Sequence, residues 1–372
     1  NYNFALPPSF VPSEFFGGPP GETEVVYFGT EYSGLATATL TQMLFDGIFF
    51  VGLNAARKFE ERTAKEAKMT KIDVIEAVQK AYYAVLVNDL TLELIEKNYG
   101  RLDTLLMETK VMNESGFAEL IDVNRVQVQY NNIKMELENS KRLRYITMAA
   151  LKFQMGMPID QPLELTDRLS AEIFGDTNED EVFVPNNRIE YSILQSNQQL
   201  AELDLKRNTM AYLPRLDLYS TIGASAGTGA AANIFNLTNE WFGFGVAGLQ
   251  MTLPIFDGLQ KHRIAQQRKV KIEQVNNSFD LLENSMNLEV QESTIRLNNG
   301  IENMRVQQEN MKLSEQVYNV TKTKYQQGVG SNIEVINADA DYKEAQLNFF
   351  TALYQALIAK VNHEKALGIL LK

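Results

Sequence analysis

The 372-residue sequence has no cysteine, two histidines and one tryptophan. Without thiols there can be no disulfide framework, thiolate metal site or cysteine nucleophile, and the isolated His262 and His363 cannot assemble a histidine zinc site. No catalytic metal centre or cofactor is expected. Lysine and arginine total 35 against 47 aspartates and glutamates, a formal charge of −12. That sign disfavours a surface built to neutralise phosphates, so nucleic acid is not an expected partner. Runs of roughly 18 or more apolar residues are absent, which excludes a membrane-spanning helix but not a span of alternating strands, whose hydropathy signal is faint. Residues Asn1 to Pro8 contain neither a basic nor an apolar signal region, so any export signal has been removed or was never there.

What is present is said twice. Leu44-Phe45-Asp46-Gly47 returns as Ile255-Phe256-Asp257-Gly258, with 255 − 44 = 211. Gly116 to Val123 returns as Gly328 to Val335, and Gly156 as Gly368, each at an offset of 212 (328 − 116; 368 − 156). Order within the copies also agrees: a Leu-Pro step (Leu6-Pro7; Leu213-Pro214), two β-like stretches around a glycine-rich break, the Phe-Asp-Gly signal, then a long helix. A helical run of about Arg188 to Met210 precedes the second copy only, so a matching N-terminal helix is expected in the full protein.

Between Gly47 and Glu114 there is no proline, and Gly52 and Gly100 are the weak points. One helix of about 100 Å is expected there at 1.5 Å per residue. Ile75, Val78, Tyr82 and Val85, and likewise Leu347, Phe350, Tyr354, Leu357 and Val361, alternate steps of three and four, the spacing of a coiled-coil seam. Gly116 and Gly328 interrupt long helices, each followed by a second helix ending near Gly156 or Gly368. Two antiparallel hairpins with glycine tips follow.

Strand patterns occupy the other ends of these hairpins. Arg215 to Ile222 alternates polar and apolar, and Trp241 to Leu253 follows a Gly-, Ala- and Asn-rich loop; the first copy offers Ala5 to Phe16 and Val25 to Met43 around Gly17-Gly18-Pro19-Pro20-Gly21. Tyr27, Phe28, Tyr32, Trp241, Phe242 and Phe244 lie near the loop ends, where membrane-interface aromatics occur. Four strands with free edges cannot sit in lipid, but three protomers would supply 3 × 4 = 12, roughly enough for a closed barrel with a pore. Gly223 to Gly229 lacks the Gly-Lys-Ser/Thr of a phosphate cradle and is expected to be a flexible surface loop. Glu179, Asp180 and Glu181 read as a solvated linker, so no general acid or base is expected.

The run Leu253-Pro254-Ile255-Phe256-Asp257-Gly258, the stretch Tyr325-Gln326-Gln327-Gly328-Val329-Gly330-Ser331-Asn332-Ile333-Glu334-Val335-Ile336 and the closing Ala366-Leu367-Gly368 resemble TolC-like outer-membrane efflux proteins. The resemblance covers nearly the whole chain. It implies a homotrimer in which a twelve-stranded barrel crosses the outer membrane and a twelve-helix tunnel crosses the periplasm to meet a periplasmic adaptor and an inner-membrane pump. It places Gly116, Phe117, Gly328, Val329 and Gly330 at adaptor-contacting tips. Glu334 takes the first of two acidic positions at the pore entrance, and Asn337 stands where the second is commonly Asp. Met43 also departs from its counterpart Pro254. The expected fold is therefore mainly α with a membrane β-barrel portion: a first β-hairpin at 1–44, a helical hairpin at 45–157, a linker at 158–187, a helix at 188–214, a second β-hairpin at 215–256 and a second helical hairpin at 257–372. A passive outer-membrane duct accounts for repeat, helices and strands together; a soluble coiled-coil scaffold leaves the strands unexplained, and an enzyme explains none of them.

Overall fold

The computed structural model describes residues 3, 6, 8–167, 169, 174, 183–229 and 241–371. The chain divides into two units, Asn1–Lys58 with Gln199–Ile272 and Phe59–Gln198 with Glu273–Lys372. Element order is β1 (Pro8–Pro12), β2 (Thr23–Tyr27), β3 (Tyr32–Phe45), α1 (Gly47–Glu114), α2 (Leu120–Gln154), α3 (Ile189–Met210), β4 (Arg215–Thr228), β5 (Phe242–Thr252), α4 (Gln260–Gln326) and α5 (Asn332–Leu367). The proline-free run is one helix of 68 residues, as its composition requires.

In the first unit β1 and β2 form a small antiparallel sheet, while β3, β4 and β5 form a separate antiparallel sheet in that order. The first copy therefore departs from the expected single hairpin. Its second strand breaks at Phe28–Glu31; β2 returns to β1, and β3 pairs with β4 of the other copy. Residue Ala5 of the expected first strand, Pro7 of the Leu-Pro step, and Glu179 to Glu181 lie outside the described residues. The glycine-rich stretch is also reassigned: Gly223 to Thr228 extends β4. Pairing with Tyr32–Thr37 on one side, and of Gly223 to Ser225 with Phe242–Phe244 on the other, satisfies that backbone, which outweighs the weak strand propensity of glycine.

Register assigns the two faces of the larger sheet. Leu40 pairs with Ser220 and Ser220 with Ala247, so one face carries Ala36, Ala38, Leu40, Leu218, Ile222, Ala224, Ala247, Leu249 and Met251, with Gln42, Ser220 and Thr228 among its polar members. The other carries Thr37, Thr39, Thr41, Arg215, Asp217, Tyr219, Thr221, Gln250 and Thr252. The Thr39 and Thr221 hydroxyls lie 3.1 Å apart across that face, and Arg215 Nε donates to Asp217 Oδ2 at 2.9 Å. A bulge between Met43 and Phe45 sets Phe45 opposite Leu216, on the apolar side. Apolar residues in the middle of that side remain open: Leu40, Ile222 and Leu249 are 66%, 63% and 65% exposed.

The second unit is held by antiparallel helix pairs. Along the α1–α2 hairpin, Asn88 Nδ2 donates to Thr147 Oγ1 at 3.2 Å and the Tyr99 and Tyr130 hydroxyls meet at 2.6 Å. Along α4–α5, a Cβ on Gly300 would lie 3.2 Å from the Ala356 Cα, so that crossing is closed to larger residues. Contacts between α1 and α5 advance along one helix as they retreat along the other: Asp73 and Glu76 with Lys365, Asn98 with Gln346, Arg101 with Asp339. Ile95, Leu102, Leu105, Val126, Ile133, Tyr318, Val335 and Tyr342 form one hydrophobic cluster; Val87, Met304, Phe349, Leu353, Ala356 and Leu357 belong to another. Each fully buried Leu or Ile contributes about 1.5–3 kcal/mol. The buried stripe of α5 runs through Ala338, Tyr342, Ala345, Phe349, Ala352 and Ala356; of the expected seam, Leu357 and Val361 are buried with it, while Leu347, Phe350 and Tyr354 are only half-buried. Small residues let neighbouring backbones approach, as at Gly300, and carry the contact that branched residues would hold apart.

Candidate functional site

Both hairpin tips are closed by the same local chemistry. At the first, Gly116 has φ +78°, its N–H donates to Asn113 O at 3.0 Å, and Phe117 N donates to Met112 O at 2.8 Å. At the second, Gly328 has φ +75°, its N–H donates to Tyr325 O at 2.9 Å, and Val329 N donates to Lys324 O at 3.0 Å. These are left-handed glycine caps, a conformation that costs an L residue roughly 1–2 kcal/mol. Gly330 is constrained differently: its added Cβ would lie 3.1 Å from both Lys324 Cβ and Tyr325 N. Each tip presents one large apolar side chain, Phe117 at 82% exposure and Val329 at 74%.

The helices restart equivalently. Glu119 and Asp122 form a reciprocal capping box at α2, while Ser331 Oγ accepts the Glu334 N–H at 3.4 Å at α5. Glu334 thus occupies the third helical position, where its charge also suits the helix dipole. Glu334 and Asn337 are exposed, opposite the buried Val335, Ile336 and Asp339. Continuing by threes and fours along the same exposed face come Asp341, Glu344 and Asn348. Neither Asp341 nor Glu344 stood out in the sequence, where they sit among many helical carboxylates; the burial of their neighbours reveals the stripe.

Behind that stripe lies a buried ionic contact that motif reading also missed. Arg101 Nη2 is 2.8 Å from Asp339 Oδ1, and the guanidinium stacks over Tyr318 at 4.5 Å and Tyr342 at 5.1 Å. Burial pushes the Asp339 carboxyl up, against the partial opposing pull of Arg101. Burial likewise pushes the Tyr318 phenol up to about 12. Near the far end of α5, Arg188 donates to Glu190 at 2.8 Å, to Glu289 at 3.0 Å and to the Ala366 carbonyl at 2.8 Å. An adjoining cavity of about 250 Å³ includes Asp73, Arg188, Glu190 and Lys365 in its lining. Arg188 pairs there with Glu190 and Lys365 with Asp73, making a clasp on the end of α5.

The aromatic residues do not share one environment. Tyr27 ends β2, and Phe28 follows it; both are exposed. Tyr32 falls in register with the apolar face of the larger sheet, and Trp241 precedes β5 in the same alternation. Phe242 pairs with Ser225 and Phe244 with Gly223, which puts both on the threonine-bearing face. The period-two alternation thus separates neighbours that look alike in sequence.

Residues 189–369 match the family model described as outer membrane efflux protein. The chain is 21% identical over 357 residues to outer membrane protein TolC of Vibrio cholerae, covering 94% of this chain and 78% of that protein. It is 20% identical over 317 residues to the probable efflux pump outer membrane protein TtgC of Pseudomonas putida, covering 81% of this chain and 61% of that relative. Among solved structures, the outer membrane protein VceC of Vibrio cholerae is similar with a TM-score of 0.69 at 15% identity, over 99% of this chain and 86% of that one. The open-state MtrE outer membrane channel of Neisseria gonorrhoeae is similar with a TM-score of 0.71 at 14% identity, over 92% and 81%. Two glycine-tipped hairpins, a sheet of two unlike faces and these similarities agree: residues 189–369 match the outer membrane efflux protein family, and the chain as a whole is similar to outer-membrane efflux proteins in sequence and in fold.

Proposed function

We propose that the chain is one protomer of an outer-membrane export duct. The observation that carries this reading is the β3–β4–β5 sheet, apolar on one face and threonine-rich with charged residues towards the helices on the other, with exposed side chains on both. Among the described residues β3 and β5 each pair on one side only, so long edges await partners. In lipid an unsatisfied edge costs several kcal/mol per group, and closure with further copies removes it. Three copies, each adding one strand of its first β-hairpin to its β3–β4–β5 sheet, close the strands into a twelve-stranded barrel and the helices into a periplasmic tunnel. Lipid meets the apolar face, with Tyr32 and Trp241 at its rim, and solutes pass along the threonine face.

Recurrence of helix bounds supports a tandem duplication: α2 and α5 start at 120 and 332, and α1 and α4 end at 114 and 326, each 212 apart (332 − 120; 326 − 114). The protein works in the outer membrane of a Gram-negative bacterium, passively, without cofactor or catalysis. Phe117 and Val329, with Gly116, Gly328 and Gly330, dock a periplasmic adaptor that joins the duct to an inner-membrane pump. Three Glu334 side chains near the threefold axis ring the entrance and favour cations, with Asn337 beside them. A soluble scaffold would have no use for an exposed apolar sheet face. The test is the mass of full-length protein in detergent together with planar-bilayer recording: a trimer that conducts is expected, and a non-conducting monomer would overturn the reading.

A further inference from the structure

The polar face of the larger sheet is not polar along its whole length. Near the strand ends remote from α1 and α4, the register brings Leu35, Phe242, Phe244 and Val246 onto it. Leu35 and Phe242 flank Ser225, Phe244 pairs with Gly223, and Val246 pairs with Thr221. These four side chains are 65%, 65%, 41% and 52% exposed, so they cover no core. Towards the helices the same face changes to Thr39, Thr41, Arg215, Asp217 and Gln250.

The backbone is shaped to receive these side chains. A Cβ on Gly223 would lie 2.6 Å from the Ala36 carbonyl oxygen, 2.8 Å from Phe244 Cζ and 3.0 Å from Thr37 Cγ2, so the neighbouring backbone and the ring over β4 together leave room only for glycine. The same arrangement occurs nearer the helices, where a Cβ on Gly248 would lie 2.9 Å from the Tyr219 hydroxyl oxygen. Aromatic cover of a cross-strand glycine is thus used twice on one face, once with a polar ring edge and once without. A lipid belt does not account for the second case, since lipid would meet the opposite face.

Resting on the duct reading above, we propose that Leu35, Phe242, Phe244 and Val246 form an apolar collar inside the outer end of the barrel. Closure by three protomers makes the collar a continuous apolar band on the wall of an otherwise polar pore. Water wets such a band poorly and a hydrated ion gains no ligands there, whereas an apolar or aromatic solute is accommodated. The collar is therefore a second selectivity element, favouring apolar solutes over ions and separate from the charge at Glu334.

None of the 372 residues is cysteine, so full-length protein with any cysteine outside them replaced by serine, reconstituted in liposomes, permits a direct test. A membrane-impermeant charged maleimide is expected to label Phe244→Cys and to spare Ile222→Cys, which lies one position along β4 from Gly223 on the apolar face. In planar bilayers Phe242→Ser/Phe244→Ser is expected to raise ion conductance about twofold or more, and Val246→Ser, a smaller change, to raise it less. An unlabelled Phe244→Cys overturns the collar, as does labelling accompanied by wild-type conductance in both serine variants. Failure of the duct reading looks different: the wild type forms no channel, and both cysteines are labelled alike.

Discussion

Helices α2 and α5 hold the same place in the two hairpins and have nearly the same length, 35 and 36 residues, yet they are clothed differently. Sixteen residues of α5 are buried against five of α2. The deficit in α2 is not a polar surface, because Leu120, Ile121, Val128, Met135, Leu143, Tyr145, Ile146 and Phe153 are all exposed, whereas Ile333 is the large apolar residue that α5 exposes. One template has thus been fitted to two surroundings. The α5 face is completed within the chain, by α1, α4 and part of α2; the remaining apolar face of α2 is completed, in the proposed trimer, by another copy. Apolar surface on this scale marks an interaction site.

The comparison can be broken most severely at the buried end of α5. Arg101→Ala strips Asp339 of the cation in contact with it, leaving only Lys343 and Lys322 nearby, and a loss of up to about 3–5 kcal/mol is expected in denaturant unfolding. Pairing Arg101→Met with Asp339→Leu should recover most of it, since an apolar pair avoids the desolvation cost; no recovery would assign the loss to the tyrosine stacking instead. Next in size is the contrast itself. Leu357→Ala in α5 should cost about 2–5 kcal/mol by opening a cavity in the core. Leu143→Ser with Ile146→Ser in α2 should leave the helical content of the chain unchanged while lowering the trimer fraction in detergent, and an unaltered trimer would show that this face is not an interface. Smallest is the cap of α5, where Ser331→Ala should lower stability by about 1 kcal/mol.

An acid titration sharpens the same comparison. Burial pushes Glu76 and Glu190 up, but Lys365 and Lys80 for Glu76, and Arg188 for Glu190, more than offset it, so both carboxyls sit below their ordinary value. The stabilisation from these pairs is present above the ordinary carboxylate range and is lost as pH falls through the lowered values. Denaturation midpoints of Glu76→Gln and wild type should therefore differ at neutral pH and converge in acid.

Much of this was legible in the chain alone. The proline-free run predicted α1 to its bounds, and Gly116 and Gly328 announced the tips because a left-handed cap admits few other residues. The two copies could be aligned because helix caps and turns are local, written in residues a few positions apart. Long-range partnership is not local. That β3 would leave β2 to pair with β4 and that Gly223 to Thr228 would be strand were decided largely by pairing between segments nearly two hundred residues apart, and that Phe244 would share a face with Thr221 by the register of β4 against β5 across a loop. The Arg101–Asp339 contact is of the same kind, since charge alone could not say which of many helical carboxylates lies beneath the guanidinium. Sequence determined where the chain bends and which stretches are helix, because backbone sterics act residue by residue. Tertiary structure decided which faces are covered and which are left open, because burial depends on neighbours that the order of residues does not name.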